Sequence, residues 1–291
     1  VTNAFRVIHG EGDGISGLII DYYDKNWVIQ AHSTGVFLQM EQIAEAIKSN
    51  FPDYCETIYC KSSGTLPNTG TDYFLFGNKV EAVAKENNIL FSVNWVEGQK
   101  TGFFLDQREN RKLLGEFSKG KKVLNTFCYT GGFSIYAMSA GAELVTSVDI
   151  SQKAVDLAAS NMELNFPNAN HKAVADDVFN FMKEHTQQYD VIVLDPPAFA
   201  KSIKSKHTAT QAYKRLNIAG LKALAPNGIL FTFSCSQVID DVLFYNTVAA
   251  AAIETGRNIR VLHKLEQGPD HPTNIYHPEG HYLKGLVLFV E

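Results

Sequence analysis

Residues 122–138, KVLNTFCYTGGFSIYAM, contain an apolar run, a glycine pair and a second apolar run. The first run, 122–127, predicts a buried strand, and residues 132–140 predict a helix. Gly131 and Gly132 lie between them, where the missing Cβ lets the backbone turn tightly and approach a ligand. The stretch therefore predicts a strand, a glycine turn and a helix, which is the repeating unit of an α/β domain.

The same alternation of short apolar strands and helices continues downstream. Strands are predicted at 144–150, 171–177, 189–197 and 228–236, with helices at 152–165, 178–186 and 208–224. This alternation is typical of a parallel sheet with helices on both faces. Residues 190–194, DVIVL, are apolar on both faces after the first position, as a central parallel strand requires.

The carboxyl-terminal residues add two more strands, 259–265 and 282–291, after a helix at 241–255. The loop between these strands is too short for a crossover helix, so they are predicted to be antiparallel neighbours. Five parallel strands and this pair make seven. That layout predicts the methyltransferase variant of the doubly wound, Rossmann-like α/β fold.

The first third of the chain has a different pattern. Residues 17–32 predict a hairpin around Asp24-Lys25-Asn26, 36–50 predict a helix, and 56–62 and 88–96 predict strands. We therefore expect a smaller α+β domain over 1–100 and a Rossmann-like domain over 101–291.

Composition limits the function classes. The chain has 291 residues and a net charge of −5, so any nucleic-acid contact must depend on a local basic surface. No apolar run approaches the roughly 20 residues of a membrane helix. Four cysteines without a CxxC pair favour a reduced, cytoplasmic protein without a metal site, although a Cys55–Cys60 disulfide is conceivable.

Polar residues follow four of the predicted strands. The glycine turn ends the first strand, Asp149 ends the second, and "ADDVFNF" (175–181) ends the third. An acid at the position of Asp149 can accept hydrogen bonds from ribose, and the next carboxylates can accept from an adenine amino group. "DPPAF" (195–199) ends the fourth strand, where two prolines force a rigid exit. These positions predict a nucleoside cofactor, while the lack of GxGxxG counts against a dinucleotide.

Motifs spanning nearly the whole chain carry a resemblance to a known family. They are EGDGISGLIIDYY (11–23), GQKTGFFLDQRENR (98–111), VLNTFCYTGGFS (123–134), VTSVDIS (145–151), DDVF (176–179), YDVIVLDPPAF (189–199), FTFSCS (231–236) and DHPTNIYHPEGHYLKG (270–285). The chain resembles class I S-adenosylmethionine (SAM)-dependent RNA methyltransferases, and among them the 23S rRNA cytosine-5 methyltransferases. Those enzymes combine a PUA domain, a central α+β domain and a Rossmann-like catalytic domain. The resemblance implies a central, accessory RNA-binding role for residues 1–100 and catalysis by residues 101–291, and we expect no PUA module in this chain.

The resemblance implies which residues hold SAM and its product S-adenosylhomocysteine (SAH). Residues of the 125–131 loop would hold the methionine part, Asp149 the ribose, and Asp177 or Asp176 the adenine amino group. Within that loop the candidates are Asn125, Phe127, Tyr129 and Gly131. Gln107 and Asp195 complete the cofactor set, whereas Cys128 is interpreted as a structural residue.

A basic surface is predicted beside this edge. No Asp or Glu occurs from Pro196 to Ile239, and the lysines and arginines there would contact RNA phosphates. The resemblance adds a lid formed by residues 102–111. The candidate RNA-binding residues are Arg108, Arg111, Lys201, Lys204, Lys206, Lys214 and Arg215.

Cys235 and Asp195 are the candidate catalytic residues. C5 of cytosine is a weak nucleophile, and a thiolate that adds to C6 gives C5 the electron density to take a methyl group. Cys235 follows the fifth parallel strand, beside the fourth, and the base must be flipped out of its stack to reach it. Asp195 would hydrogen-bond the N3/N4 edge of cytosine.

Three alternatives remain at this stage. The closest is N-methylation of guanine or adenine, for which DPPAF is suited and no nucleophilic cysteine is needed. A non-catalytic RNA-binding domain and a nicotinamide oxidoreductase fit less well. The sequence leaves open whether the chain forms a homodimer.

Overall fold

The computed structural model describes residues 1–66, 71–200 and 202–291, which form two compact units. Unit 1 contains Val1–Arg108 and Gly268–Gly280, and unit 2 contains Glu109–Gln267 and His281–Glu291. This division differs from the predicted domains 1–100 and 101–291 in two places. The first boundary lies after Arg108, and Gly268–Gly280 belongs to unit 1 although the strands on either side of it belong to unit 2.

Unit 1 contains a five-stranded sheet in the order β1-β2-β3-β4-β5 and a separate hairpin, β6-β7. Its sheet strands are β1 (Ala4–His9), β2 (Leu18–Tyr23), β3 (Asn26–Ala31), β4 (Thr57–Cys60) and β5 (Tyr73–Phe76). The hairpin is β6 (Glu81–Glu86) and β7 (Ile89–Asn94), and the helices are α1 (Thr34–Phe37) and α2 (Met40–Asn50). The predicted 36–50 helix is therefore two helices, and β1, β5 and β6 were not predicted.

The turn between β2 and β3 confirms the predicted hairpin. Asp24 and Lys25 both have positive φ, 43° and 70°, so the connection is a two-residue turn of the type that matches strand twist. Asn26 holds the turn because its side-chain amide donates to the carbonyls of Tyr23 (3.0 Å) and Asp24 (2.7 Å). Local turn chemistry therefore fixes the register of this hairpin.

Unit 2 contains a seven-stranded sheet in the order β10-β9-β8-β11-β12-β14-β13. The strands are β8 (Lys122–Thr126), β9 (Leu144–Asp149), β10 (His171–Ala175), β11 (Tyr189–Leu194), β12 (Leu224–Ser234), β13 (Ile259–Leu265) and β14 (Lys284–Val290). The helices are α3 (Arg108–Glu116, which begins at the last residue of that part of unit 1), α4 (Gly132–Ser139), α5 (Gln152–Asn165), α6 (Val178–Glu184), α7 (Lys206–Ala223) and α8 (Asp241–Thr255). The predicted Rossmann-like methyltransferase fold, with its separate amino-terminal domain, is confirmed.

The direction of the last two strands refines the prediction. β14 lies between β12 and β13 and is antiparallel to both. β13 therefore runs in the same direction as the five strands on the other side, and β14 alone is reversed. The predicted antiparallel pairing of β13 and β14 is confirmed.

The central strand β11 is buried on both faces, as its apolar run predicts. Ile192 and Leu194 pack into the core beneath α6, α7 and α8, whereas Val191 and Val193 pack into the core beneath α3 and α4. A fully buried aliphatic side chain contributes about 1.5–3 kcal/mol. This double burial fixes the carboxyl end of β11, from which the Asp-Pro-Pro segment emerges.

Among residues 1–66, 71–200 and 202–291, no helix is long and apolar enough to cross a membrane. The same residues contain no group of three or more His, Cys, Asp or Glu side chains arranged to hold a metal ion.

Candidate active site

The loop that joins β8 to α4 has an unusual backbone. Phe127, Tyr129 and Gly131 all have positive φ, 53°, 44° and 77°. Such φ values are uncommon for aromatic residues and are found where surrounding contacts enforce them. Here the Cys128 N–H donates to the Val148 carbonyl (3.1 Å), and the Gly131 N–H donates to the Cys128 carbonyl (2.8 Å). The alternating conformation shapes a concave loop at the carboxyl end of the sheet.

Gly131 is required by both its conformation and its surroundings. A Cβ placed there would lie 2.9 Å from the Ala158 Cβ, in addition to the strain of its positive φ. Gly132 is similarly close to the chain, because a Cβ there would lie 2.9 Å from Cδ of Arg111. The glycine pair singled out in the sequence therefore allows α4 to start tightly against α5 and the Arg111 side chain.

Asp149 holds the same loop from the end of β9. Its Oδ2 accepts from the Tyr129 N–H (3.2 Å), and its Oδ1 accepts from the Ser151 N–H (3.0 Å). Each carboxylate oxygen can accept more than one hydrogen bond, so the group can also accept from a ligand hydroxyl. Burial raises the pKa of the Cys128 thiol, and the Asp149 carboxylate adds to that effect. Cys128 therefore stays a neutral thiol, which agrees with its predicted structural role.

The two candidate adenine ligands, Asp176 and Asp177, directly follow β10. Asp177 caps α6, since its Oδ1 accepts from the N–H groups of Phe179 and Asn180, both at 3.0 Å. Asp176 accepts from the Asp177 N–H (2.7 Å), and its own N–H donates to the Asp149 carbonyl (3.0 Å). The structure thus brings both acids to the edge that carries Asp149.

Ile150 is a further candidate site residue, which the sequence did not indicate. It follows Asp149 directly and is 76% exposed, in contrast to the buried aliphatic residues of β9. A large exposed apolar side chain beside the acid predicted to bind ribose offers a flat surface for a base. The sequence does show an aliphatic residue directly after the acid that ends the strand. The predicted strand 144–150 included this residue, so it was interpreted as part of the strand.

Asn125 belongs to a buried polar chain beneath the loop. Its amide nitrogen donates to Ser134 Oγ (2.9 Å), Ser134 Oγ lies 2.6 Å from Ser147 Oγ, and Ser147 Oγ lies 2.8 Å from His171 Nε2. These contacts join β8, α4, β9 and β10. One N–H of the Asn125 amide group is used for that internal connection, which leaves its second N–H and its amide oxygen for a cofactor contact.

Burial lowers the pKa of His171 to about 4 from an ordinary value of 6.5. The unfolded chain therefore binds more protons between these pH values, and stability is lost as the pH falls from 6.5 towards 4. We expect the wild type to lose on the order of 2 kcal/mol between pH 7 and pH 5 relative to His171→Gln. Urea unfolding at both pH values measures this difference, and an identical loss in both proteins would contradict it. His9, whose pKa is also lowered to about 4, is common to both proteins and cancels.

Asp195 and Cys235 lie at adjacent strand ends. Leu194 of β11 pairs with Thr232 of β12, which places Asp195 beside the last residues of β12. Both residues are partly buried, and the Cys235 Sγ lies 3.9 Å from the Pro196 carbonyl oxygen. The structure therefore brings together the two predicted catalytic residues at the carboxyl edge of the sheet.

Ser236 connects these two strand ends. Its Oγ lies 3.0 Å from the Tyr213 hydroxyl and accepts from the Ala200 N–H at 3.4 Å. The Phe199 ring packs on the Tyr213 ring, with the ring centroids 4.7 Å apart. The segment after the two prolines is thereby tied to the segment that carries Cys235, a role the sequence did not reveal for Ser236 or Tyr213.

The predicted lid residues are buried. Gln107, Arg108 and Arg111 are only 3%, 9% and 2% exposed. Arg108 donates to Asp270 Oδ2 at 2.8 Å. Burial opposes ionisation of Asp270, but His271 and Arg108 outweigh it and hold the pKa of that carboxyl well below its usual range. Both side chains lie inside the protein, which counts against the predicted contacts of Arg108 and Arg111 with RNA phosphates.

The basic residues after the Asp-Pro-Pro segment differ in availability. Lys204 and Arg215 are exposed. Lys206 lies 3.5 Å from Asp240, and Lys214 lies 2.7 Å from Glu254, and both pairs are accessible to solvent. Surface pairs of this kind contribute at most about 1 kcal/mol and exchange readily for a phosphate. The predicted Lys201 lies outside the described residues.

A seven-stranded sheet with one reversed strand, a glycine loop after β8 and an acid after β9 defines the class I methyltransferase fold. The chain belongs to the S-adenosylmethionine-dependent methyltransferase family, whose sequence model matches residues 66–286. Its cofactor is SAM. The edge of the sheet fits this molecule, since a carboxylate that can accept from ribose adjoins an exposed apolar side chain, and Gly131 leaves no room for a Cβ.

Named relatives and solved structures agree with this family. The chain is 39% identical to ribosomal RNA large subunit methyltransferase I of Aeromonas hydrophila, over 98% of the chain and 74% of that protein. The enzyme of the same name from Vibrio vulnificus is 40% identical over 98% of the chain and 75% of that protein. A provisionally named SAM-dependent methyltransferase from Streptococcus mutans superimposes with a TM-score of 0.87 at 28% identity, over 99% of this chain and 75% of that chain. A methyltransferase structure with the same score, identity and coverage, also provisionally named, contains SAH.

Proposed function

We propose that this protein methylates C5 of a cytidine in large-subunit ribosomal RNA, with Cys235 as the nucleophile. The names of its relatives support the RNA substrate. The observation that carries the base assignment is the placement of Cys235 next to Asp195 at the end of β12. Methylation of a ring or exocyclic nitrogen requires no thiol at this position.

SAM supplies an electrophilic methyl group on a sulfonium centre. We assign its ribose to Asp149, its adenine to Ile150 and one of Asp176 and Asp177, and its methionine part to the loop containing Phe127, Tyr129 and Gly131. The carboxylate of Asp149 supports this arrangement because it already accepts from the Tyr129 N–H. The same side chain would therefore shape the loop and bind the ribose.

The proposed chemistry depends on Cys235 in its thiolate form. The thiolate adds to C6 of a flipped-out cytosine, an S–C6 bond forms, and the electron pair of the C5–C6 double bond becomes available at C5. C5 would take the methyl group, and SAH would leave as the S–CH3 bond breaks. Loss of the C5 proton to solvent would then expel the thiolate and restore the double bond. Asp195 would hold the N3/N4 edge of the base, since a carboxylate accepts from the exocyclic amino group.

Unit 1 is proposed to assist in RNA binding, together with the basic residues of unit 2. Because Arg108 and Arg111 are buried, the RNA phosphates are assigned to Lys201, Lys204, Lys206, Lys214 and Arg215. The absence of Asp and Glu from Pro196 to Ile239 supports this surface. Because this segment has no carboxylates, we expect it to repel RNA phosphates less than the rest of the surface does.

Charge reversal tests the basic surface. We expect the triple variant Lys201→Glu, Lys204→Glu, Lys206→Glu to bind a large-subunit rRNA fragment at least tenfold more weakly in filter binding. The slope of log affinity against log salt should fall by about 0.9 for each lost phosphate contact. A matched control reverses Lys119, Lys121 and Lys122, three exposed residues just before or at the start of β8. If both triple variants weakened RNA binding equally, the loss of affinity would be an effect of net charge, and this would count against the proposed surface.

N-methylation of a purine is the second candidate, and one contact weakens it. The aromatic residue of DPPAF, Phe199, is partly buried and packs on Tyr213. It is therefore engaged in holding the loop, whereas a purine-stacking role would favour an open ring face. Mass spectrometry of nucleosides from rRNA methylated by the purified protein identifies the base and the atom. Methylguanosine or methyladenosine in place of 5-methylcytidine would reject the proposed function.

A further inference from the structure

Lys284 is a buried cation next to the proposed nucleophile. Its side chain lies at the start of β14, and the residue is 3% exposed. The Nζ donates to the carbonyl oxygens of Ser236 (2.8 Å) and Tyr282 (2.7 Å). Within the described part of the chain, no carboxylate oxygen lies within 4.0 Å of this nitrogen. An ammonium held by carbonyl groups in the interior is costly, so its retention requires an explanation.

The sheet register fixes Lys284 beside Cys235. Ser234 of β12 pairs with Lys284 of β14, and the carbonyl that accepts from Nζ belongs to Ser236. The two residues that bracket Cys235 are thus both connected to Lys284. Because the residue is buried and Nζ donates to two carbonyl groups, the ammonium has little freedom to move away.

The titratable groups that act on Lys284 are all acidic and favour its charged form. Burial lowers the pKa of Lys284, while Asp241, Cys235 and Asp240 raise it, in that order after burial. Interaction between two titrating groups is mutual, so a charged ammonium at Lys284 favours a charged thiolate at Cys235. The effect of burial is opposed by these anionic neighbours, which helps Lys284 to remain protonated.

The other titratable groups packed around this pair do not supply the same cation. From α7, burial raises the pKa of Tyr213, and Cys235 adds to this, so the phenol stays neutral. At the start of α8, Asp240 pairs with Lys206 (3.5 Å) and Asp241 with His281 (3.3 Å). Asp195 follows β11 at the same edge of the sheet and supplies no cation.

We propose that Lys284 is a positioning residue whose buried ammonium stabilises the thiolate of Cys235, so that the nucleophile forms at neutral pH. The proton leaves Sγ for solvent, and Lys284 keeps its own proton throughout. This inference rests on the proposed function only in the use made of the thiolate. The electrostatic pairing itself needs neither RNA nor SAM.

Alkylation of the full chain by iodoacetamide measures the pairing directly. The rate at Cys235, followed by mass spectrometry of its peptide across pH 6–10, reports the thiolate fraction. In Lys284→Met we expect the midpoint of this pH profile to rise by about one pH unit, so that the rate at pH 7 falls about tenfold. Lys284→Arg restores a cation and is expected to recover most of the rate.

Lys264→Met is the matched control. Lys264 lines the same cavity as Lys284, of about 390 Å³, and its Nζ lies 5.9 Å from the centroid of the Tyr245 ring. Its removal deletes a nearby positive charge that does not contact the residues next to Cys235. We expect its alkylation profile to match the wild type.

Two outcomes overturn the proposal. One is an unchanged profile in Lys284→Met when its circular dichroism and SAH binding equal those of the wild type. The other needs no variant: a wild-type midpoint at or above about 8.5, the ordinary value of a free cysteine, shows that the thiolate does not form at neutral pH as proposed. A shifted profile together with an active Cys235→Ala protein would reject the proposed function and retain the Lys284–Cys235 pairing.

Discussion

Cys235→Ala is expected to abolish methyl transfer while SAH binding stays unchanged. Without the thiolate, C5 of cytosine lacks the electron density to attack the methyl group. Removing a covalent nucleophile typically costs a factor of about a thousand or more. Transfer of radiolabelled methyl groups to rRNA measures the first quantity, and isothermal titration with SAH measures the second.

Cys128→Ala is the matched control for this experiment. Cys128 is the buried thiol in the loop after β8, and burial raises its pKa, so it is a poor nucleophile. We expect this variant to retain most of the activity and to lose stability because of the cavity it leaves. Turnover by Cys235→Ala at the wild-type rate would remove Cys235 from the mechanism.

Asp149→Ala is expected to weaken SAH binding at least about a hundredfold. The substitution removes the proposed ribose acceptor and the anchor of the Tyr129 and Ser151 N–H groups. Charge-assisted hydrogen bonds contribute about 1.5–3 kcal/mol each, so losing both effects accounts for this factor. Calorimetric titration with SAH at pH 7 measures the loss.

Asp156→Ala serves as the control for the change in charge. Asp156 is exposed on α5, and its Oδ1 accepts from Gln152 at 2.7 Å, so its loss leaves the loop after β8 intact. SAH affinity in this variant should equal that of the wild type. If Asp149→Ala also kept wild-type affinity while folded, the ribose would have to be assigned elsewhere.

Unit 2 was largely predictable because its elements are short, apolar and regularly spaced. Residues 152–165, 241–255 and 259–265 match the predicted α5, α8 and β13 without any shift in their ends. β12 begins at Leu224, four residues before the predicted 228. Ala225-Pro226-Asn227-Gly228 has the composition of a turn, and Asn227 has a positive φ of 61°, so pairing across it could not be seen in the sequence.

The missed features depend on contacts between distant parts of the chain. Arg108 and Asp270 are 162 positions apart. Because the partner is so distant in the sequence, the residues around Arg108 give no sign that this arginine is buried. Lys284 has the same property, since the carbonyl it contacts belongs to a residue 48 positions away. The positions of Asp149 and Cys235 at the carboxyl edge of the sheet were predictable, because the carboxyl ends of parallel strands meet at one edge.

The placement of Gly268–Gly280 has a consequence for recombination among related enzymes. This segment lies between two strands of one unit but contributes Asp270 and His271 to the other, where Asp270 pairs with Arg108 and accepts from the Arg6 N–H. A chimera that exchanges residues 109–291 as a block would therefore import foreign partners for Arg6 and Arg108. An exchange that keeps 268–280 with its native amino-terminal partners must replace 109–267 and 281–291 as two separate pieces. The two units of this protein are therefore interleaved along the sequence, and a functional chimera has to follow that division.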